Sequence, residues 1–592
     1  MKDQADSFVK ELPVGISDFV RIKKKNLYYV DKTPFIRDVF KDASQVLLIT
    51  RPRRFGKTLA MNTFFHFLRI NPENASDTSY QDELFSHTKI YEDKTFCDEY
   101  MGRYPVIFLS FKKVDGTSFQ EACGMLASVL SEAARQHQYL LNSPKLANPE
   151  KEMLSILFNQ NELALPQYRS NLCDALELLS KMLCAHYGRE VIVLIDEYDV
   201  PLANAYTEGY YKEMVKLIRS VLSSVLKDNA AVEKGVLTGC LRVAKESIFT
   251  GLNNLMVDTV TSNYGFSEGI GFTPQEVREM LAYYGLSGQE KAVKDWYDGY
   301  RVAGRELYCP WDVINYCNIA KRALKAGQEI SEPVSFWTST SGNAVIHQFM
   351  SYLDEADAEK MQTLLDGGEA EFVLNEQLNY DEIGEKHRSN DFWTLLLFTG
   401  YLTSVQKPGK PEQGVCTVRI PNKEIRAAFE AYIADYYQSD AAVAASSNEI
   451  VDAFLAGNVS QASALLSQRL RKFVSIRDMA TKSPPENFYH GFLNGVFSAT
   501  TRKLFTYMSN NVAGDGYADI LFSAEENVLG VAIELKASKD EKDMPALSGK
   551  ALSQIADKKY IEAFGQGITK VYCYGIAFFR KTCFIQCEIK EL

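Results

Sequence analysis

The chain has 592 residues, 46% hydrophobic and 24% charged. It is too long for a single core and too apolar for a disordered protein. Its formal net charge of −11 argues against a protein that coats nucleic acid by charge alone. Its eleven cysteines are scattered with no C-x-x-C pair, which argues against a disulfide framework or a zinc–thiolate site.

The opening residues MKDQADSFVKEL hold no apolar run with a cleavage site. The longest apolar stretches, VIVLI and WTLLLFTGYL, fall short of the roughly 20 residues that span a bilayer. A cytoplasmic location without membrane contact is expected. Charge is uneven along the chain. Residues 1–60 carry thirteen Lys/Arg against seven Asp/Glu, residues 351–390 carry three against eleven, and residues 481–592 carry thirteen of each. The acidic stretch reads as a solvated helical face, and any nucleic-acid contact needs a local basic groove.

In chain order, LYYVDKTPFIRDVF predicts a short strand and then a helix. QVLLIT is a continuous apolar run of the kind found in buried parallel strands, followed by RPRRFGKT and the helical TLAMNTFFHFL. YPVIFLSF, VIVLIDEYD and GVLTGC supply three more strands, separated by helical segments such as SFQEACGMLASVLSEAARQH. This alternation predicts an α/β layered domain with a mostly parallel sheet. From about residue 275 helices alternate with aromatic loops. DFWTLLLFTGYLTSV, KPGKPEQG and VCTVRIP then predict a helix leading into a hairpin, as in a winged-helix-like module. Residues 425–480 are helical and Ala-rich. After 486 a helix precedes the strands DGYADILFS and VLGVAIELKAS, a helix around ALSQIADKKYIEAF, and the strands KVYCYGIAFF and CFIQCEI. No internal repeat is visible.

RPRRFGKT matches the phosphate-binding pattern G-x-x-x-x-G-K-[ST] at Gly56, Lys57 and Thr58, with Arg51 in place of the first Gly. Gly56 admits close backbone approach, and the helix N-terminus with its successive N–H groups forms an anion nest. Lys57 is expected at the β/γ-phosphates and Thr58 on Mg²⁺. Arg51, Arg53 and Arg54 are expected to add positive charge. A bare G-K-T is also compatible with a basic turn before a surface helix. The strand–turn–helix context and VIVLIDEYD favour the nucleotide site. Two acids end a buried strand, where unpartnered burial is costly. Asp196 is expected to hold Mg²⁺, and Glu197 to orient or deprotonate the attacking water. Asp199 reads as a structural cap. Thr238 and Arg242 are positioned to sense the γ-phosphate. Phe55 and Leu59 complete the expected nucleotide-contacting set.

LPVGISDF, YYVDKT, TRPRRFGKTL, LIDEYDVPL and the TG..R..KESIF..LNNL pattern, with WYDGYRVAG, PWDVINY and FTGYLT further on, resemble the AAA-ATPase-like family of bacterial proteins. The likeness runs from about residue 11 to about 425. Within that family, Arg at the position of Arg51 is the usual choice. The resemblance implies a P-loop NTPase fold, ATP and Mg²⁺.

Near the C-terminus, Asp519 begins an apolar strand, and VAIELKAS places Glu534 and Lys536 two apart, on one strand face. A hairpin can bring the three together. Two carboxylates, Asp519 and Glu534, can then hold Mg²⁺, and the lysine can orient water or stabilise developing charge on phosphorus. A surface ion pair is the plain alternative for D…E-x-K alone. The surroundings, ENFYHGFLNG, GDGYADI, IELK, QIADKKY and YGIAF, resemble the PD-(D/E)XK nuclease superfamily over about residues 484–585. The resemblance implies that Glu486 is the helix carboxylate and that Gln554 and Tyr560 form the Q-x(5)-Y pattern, with Lys558 nearby. It also implies a nucleic-acid partner, DNA or RNA. Asn511 and Val512 stand where relatives often carry a charged pair.

The expected organisation is an AAA-like P-loop ATPase domain over 1–275, a helical or winged-helix-like lid or middle domain over 276–424, a helical connector over 425–483 and a nuclease-like domain over 484–592. The expected activity is ATP hydrolysis joined to Mg²⁺-dependent phosphodiester cleavage, as an ATP-dependent or ATP-gated nuclease. The alternative is an ATP-switched, non-catalytic binding protein with an inactive nuclease fold. The Tyr-rich loops and acidic face of the middle region suit contact with a protein partner or a second copy.

Overall fold

In the computed structural model the run VLLIT becomes strand β1 (Val46–Thr50), buried at every position. Four further strands join it: β2 (Val106–Ser110), β3 (Val191–Asp196), β4 (Val232–Gly239) and β5 (Leu255–Asp258). All neighbours are parallel, in the order β2-β3-β4-β1-β5. A parallel sheet covered on both faces needs continuous apolar strands, and VLLIT and VIVLID meet that need. The register β1 Ile49 to β4 Thr238 and β3 Ile195 to β4 Leu237 brings the carboxyl ends of all three strands to one edge. Ligands of open α/β sheets bind at that edge.

The structure describes residues 9–241, 254–262, 265–336, 355–365, 367–375, 389–405, 414–429, 441–473, 486–498, 500, 504–513, 516–524, 528–564 and 567–592. The chain divides into two compact units, residues 1–345 with 371–424, and residues 346–370 with 425–592.

In the first unit, helices α1 (Pro34–Lys41), α2 (Lys57–Leu68), α3 (Phe119–Arg135), α4 (Arg169–Tyr187) and α5 (Tyr211–Leu226) accompany the sheet. α2 lies across β2, β3 and β4, and α4 packs against α5 and β3. The predicted strand at LYYV does not form. Residues 27–32 form no regular element, with Tyr28 N–H bonded to Glu11 O and the Tyr28 ring packed on Tyr283 and Tyr284. Their apolar side chains pack as an arm rather than as a ladder.

Beyond the sheet, Thr273 and Glu276 form a capping box that starts α6 (Pro274–Tyr283). The hairpin β6 (Tyr300–Val302) and β7 (Arg305–Leu307) leads to α7 (Pro310–Lys325). Phe272, Met280, Tyr297, Val313 and Tyr316 make a separate apolar core there. α8 (Ser389–Thr399) is buried from Asp391 to Phe398. A small sheet accompanies it, made of β8 (Ala370–Val373), β9 (Thr403–Ser404) and β10 (Val415–Arg419) in the order β8-β10-β9.

The second unit contains α9 (Ala441–Leu455), α10 (Val459–Phe473) and α11 (Glu486–Ser498). They pack on one face of a mixed sheet through Phe454, Leu466, Tyr489, Phe497, Ile533 and Tyr574. The sheet runs β11 (Leu504–Ala513), β12 (Gly516–Ala524), β13 (Leu529–Ala537), β14 (Lys570–Phe579) and β15 (Thr582–Glu591) in sequence order. Only β13 and β14 are parallel among these pairs, and α12 (Met544–Asp557) makes the crossover between them. Ile555, Tyr560, Leu521 and Ala532 form the core on that opposite face. Among the described residues no helix is long and apolar enough to cross a membrane. All eleven cysteines are free thiols.

Candidate active sites

The loop leaving β1 turns on two left-handed residues, Arg54 (φ +68°) and Gly56 (φ +98°). Gly56 is the N-cap of α2, so the N–H groups of the first helical turn face the loop without intrahelical partners. Lys57 is buried, and its Nζ donates to Arg51 O and Pro52 O at 3.1 Å each and to Cys240 Sγ at 3.4 Å. Glu197 Oε1 lies 3.7 Å from the same nitrogen. Burial opposes the charge on Lys57. Cys240, Glu197, Asp199 and Asp196 crowd around it and hold it above the ordinary lysine range.

Asp196, the last residue of β3, is fully buried and shared between two strand ends and a helix. Thr58 Oγ1 donates to Oδ2 at 2.8 Å and Thr238 Oγ1 to Oδ1 at 2.6 Å, with Ser110 Oγ 3.5 Å from Oδ2. Burial and the neighbouring Glu197 push its carboxyl up, and the two threonine hydroxyls and Lys57 pull it down. Glu197 takes a left-handed backbone (φ +54°), an uncommon conformation outside glycine and one enriched at functional sites.

Asp199 caps backbone beyond β4 rather than its own helix. Oδ2 accepts from Cys240 N–H at 2.9 Å and Leu241 N–H at 2.8 Å. Burial, then Glu197, raises its carboxyl to about 6. Tyr198 reinforces the clamp by donating its hydroxyl to Leu241 O at 2.7 Å.

The arginines divide differently from the expectation. Arg51 is wholly buried and paired with Asp258 Oδ2 at 2.7 Å, and it also donates to Thr50 O and Phe266 O. It locks β1 to the edge strand β5 and adds no charge for phosphate, because one carboxylate already neutralises it inside the protein. Arg54 donates to Phe336 O at 2.6 Å with its guanidinium over the Trp311 ring. Arg53 is exposed. Arg242 lies outside the described residues. Phe55 is buried edge-on against Tyr300. Leu59 lines an apolar cavity that opens beside Gly56, together with Tyr28, Phe35, Phe64, Phe272 and Ile314. The sequence names Phe55 and Leu59 as nucleotide-contacting residues but does not disclose the cavity that they line, because its remaining walls come from distant segments.

In the second unit the register Ile520 to Ile533 sets Asp519 and Glu534 side by side, one step beyond the ladder. There the Asp519 side chain replaces backbone pairing, its Oδ2 accepting from Leu535 N–H at 2.9 Å. Glu534 is buried. Its Oε1 accepts from Lys536 Nζ at 3.0 Å, whereas Oε2 has no hydrogen-bond partner among the described residues. Lys536 Nζ also reaches Glu486 Oε1 at 3.2 Å, from the first turn of α11. Burial and then Asp519 push Glu534 up to about 8. Burial also raises Asp519, against the pull of Leu535 N–H, His490 and Lys536. Gln554 Nε2 donates to Tyr560 Oη at 3.1 Å. Burial raises the Tyr560 hydroxyl, Gln554 opposes it, and Glu534, Asp519 and Lys536 all act on it. Asn511 and Val512 lie on β11, paired with Ala518 and Tyr517.

Among the described residues, no three of His, Cys, Asp and Glu are grouped to hold a metal by themselves. The fit to Mg²⁺ rests on other observations. A buried carboxylate oxygen without a partner sits next to a second carboxylate, and Mg²⁺ commonly takes one or two carboxylates and completes its shell with water and phosphate. Asp196 with Thr58 offers the same kind of partial shell beside the phosphate loop.

Residues 13–249 match the family model described as "Predicted AAA-ATPase", and residues 484–588 match that of the PD-(D/E)XK nuclease superfamily. A protein of Azotobacter chroococcum mcd 1, described as an uncharacterized protein in the vnfD 5′ region, is 26% identical over 579 residues, covering 96% of this chain and 97% of that one. The solved structure of the Aeropyrum pernix ORC2 protein in ADPNP and ADP complexes is 12% identical with a TM-score of 0.26, covering 72% of this chain and 97% of that chain. The chain thus joins a domain of the AAA-ATPase-like family, over residues 13–249, to a domain of the PD-(D/E)XK nuclease superfamily, over residues 484–588.

Proposed function

We propose that the protein binds and hydrolyses ATP in its first unit and cleaves a nucleic-acid phosphodiester in its second, each with Mg²⁺. The ATP site occupies the P-loop domain assigned to 1–275, and the nuclease site the domain assigned to 484–592. Residues 276–424 serve as a lid or docking region and 425–483 as a connector. In the ATP site Lys57 leaves its own loop carbonyls for the β/γ-phosphates, and the α2 N–H groups cradle them. Thr58 and Asp196 hold Mg²⁺, with Thr238 fixing the Asp196 carboxylate. Glu197, released from Lys57, orients water and takes its proton. The cavity lined by Tyr28, Phe35 and Leu59 takes the base, being apolar and adjacent to Gly56.

In the nuclease site Asp519 and Glu534 hold the metal. When bound, Mg²⁺ polarises the phosphodiester and lowers the pKa of its water. Lys536 orients that water and offsets charge developing on phosphorus. Glu486 steers Lys536 by its ion pair, and Tyr560 with Gln554 borders the site. The observation that carries this half is Glu534 Oε2, a buried carboxylate oxygen with no hydrogen-bond partner among the described residues.

A second reading, an ATP-switched binding protein whose nuclease fold is inactive, draws support from the absence of a three-ligand group among the described residues. Incubating purified full chain with supercoiled DNA and with single-stranded DNA and RNA, with Mg²⁺ or Mn²⁺, separates the two. The nuclease reading expects cutting that EDTA stops and Asp519→Ala abolishes. No cutting of any substrate rejects it in favour of the second.

A further inference from the structure

One histidine in the second unit has no place in the scheme above. His490 lies four residues after Glu486, one turn along the same face of α11. Its Nε2 is 3.0 Å from Asp519 O and 3.2 Å from Ser509 Oγ. Its Nδ1 is 3.4 Å from Asn494 Nδ2. Tyr507 donates its hydroxyl to Asn494 Oδ1 at 2.6 Å, and the amide nitrogen faces the ring. A backbone carbonyl only accepts, so a ring proton belongs on Nε2, where it meets Asp519 O. A relay of hydrogen bonds thus runs from Tyr507 on β11, through Asn494 and His490 on α11, to the backbone of Asp519 on β12.

This relay adds to what the ladder holds. On the β11 side Asp519 stays inside the ladder, between Ala518, paired with Asn511, and Ile520, paired with Ser509. On the β13 side the ladder stops at Ile520 and Ile533, and the Asp519 side chain bonds Leu535 N–H instead. Holding that carbonyl from α11 sets the position of the Asp519 carboxylate relative to Glu534. It also ties down the helix that delivers Glu486 to Lys536. We propose that His490 is a positioning residue of the phosphodiester site, holding Asp519 in metal-binding register through an Nε2–H hydrogen bond. This rests on the nuclease reading of Asp519 and Glu534. Groups that orient metal ligands from behind typically change metal affinity by about 10- to 100-fold.

The test uses the full chain without nucleotide. Mn²⁺ is titrated calorimetrically, and the signal of interest is the binding that Asp519→Asn removes. His490→Phe keeps an aromatic ring and its volume but removes the donor. His490→Gln places an amide N–H close to the Nε2–H position. The proposal expects Mn²⁺ affinity about 10-fold or more weaker in His490→Phe, and within about threefold of wild type in His490→Gln. Unchanged ATP binding and an unchanged circular dichroism spectrum show that each variant is folded. Wild-type Mn²⁺ affinity in His490→Phe overturns the proposal, as does equal weakening in both variants, which makes the ring a packing element only. Wild-type protein with no Asp519-dependent Mn²⁺ binding and no cleavage overturns the nuclease reading itself, and the His490 proposal falls with it. Wild-type binding and cutting together with a wild-type His490→Phe overturns the His490 proposal alone.

Discussion

Thr58 Oγ1 donates to Asp196 Oδ2 across 2.8 Å, joining the first turn of α2 to the end of β3. The two residues are 138 positions apart in sequence, and the hydroxyl–carboxylate pair forms the kind of partial shell that Mg²⁺ bound to a nucleotide completes with phosphate oxygens. Thr58→Val and Asp196→Asn should therefore abolish the Mg²⁺-dependent part of ATP affinity. Lys57→Ala should weaken ATP binding about 10- to 100-fold with or without Mg²⁺, the worth of about 1.5–3 kcal/mol for a charged hydrogen bond. Calorimetry with and without EDTA reads both effects. Full Mg²⁺ enhancement in Thr58→Val would remove Thr58 from the metal shell.

Glu197→Gln should bind ATP as tightly as wild type or tighter, since Lys57 loses its competing carboxylate at 3.7 Å. Turnover should fall about 10²- to 10⁴-fold, the usual weight of a general base. Single-turnover hydrolysis at the wild-type rate would show that another group accepts the proton.

Arg51 should prove structural. Its ion pair with Asp258 is 0% and 2% exposed on the two sides. Arg51→Met leaves Asp258 charged and buried, which costs about 3–5 kcal/mol. The double variant Arg51→Met, Asp258→Leu should recover most of that loss, because neither charge then remains unpaired. Denaturant unfolding followed by loss of ATP binding measures the cycle. A single variant as stable as wild type but deficient in ATP binding would return Arg51 to the phosphate site.

These cases mark what a single sequence can express. VLLIT and VIVLID announce buried parallel strands because burial on both faces demands unbroken apolar runs, and both strands form. The meeting of Asp519, Glu534 and Lys536 is readable because a strand alternates its faces and the spacing is short. β5 has only four residues, LMVD, and gives too little pattern to read. β11, with its polar TYMSNN, conceals its alternation in the same way. Arg51 looks like a phosphate ligand by its place in RPRRFGKT. Its partner Asp258 is 207 residues away, and no local pattern discloses it. The cavity beside Gly56 is hidden for the same reason, since its walls come from four separate stretches of chain. His490 shares an i, i+4 spacing with Glu486 and Asn494 on α11, but no local pattern discloses its contacts with the Asp519 carbonyl and Ser509, which lie on strands.

The final prediction concerns protons at the nuclease site. Burial and Asp519 together hold Glu534 at about 8, above its ordinary value of 4.5. A carboxyl raised in this way favours the folded state fully below about 4.5, and that contribution is lost as pH rises through about 8. The metal-free second unit should therefore lose stability across that window, as the Glu534 charge is forced into a buried place. A divalent cation reverses the preference, because it needs the ionised carboxylate. Binding at pH 7 must then expel the Glu534 proton. Mn²⁺ affinity should climb by up to about tenfold per pH unit between pH 6 and 8, and flatten above 8. Calorimetry in buffers of different ionisation enthalpy should count close to one proton released at pH 7 and fewer at pH 9. Lys536 favours the ionised form from 3.0 Å, so Lys536→Met should move the whole profile to higher pH. A flat affinity profile with no proton release would mean that Glu534 is already ionised before the metal arrives, and its assigned burial-driven shift would be wrong.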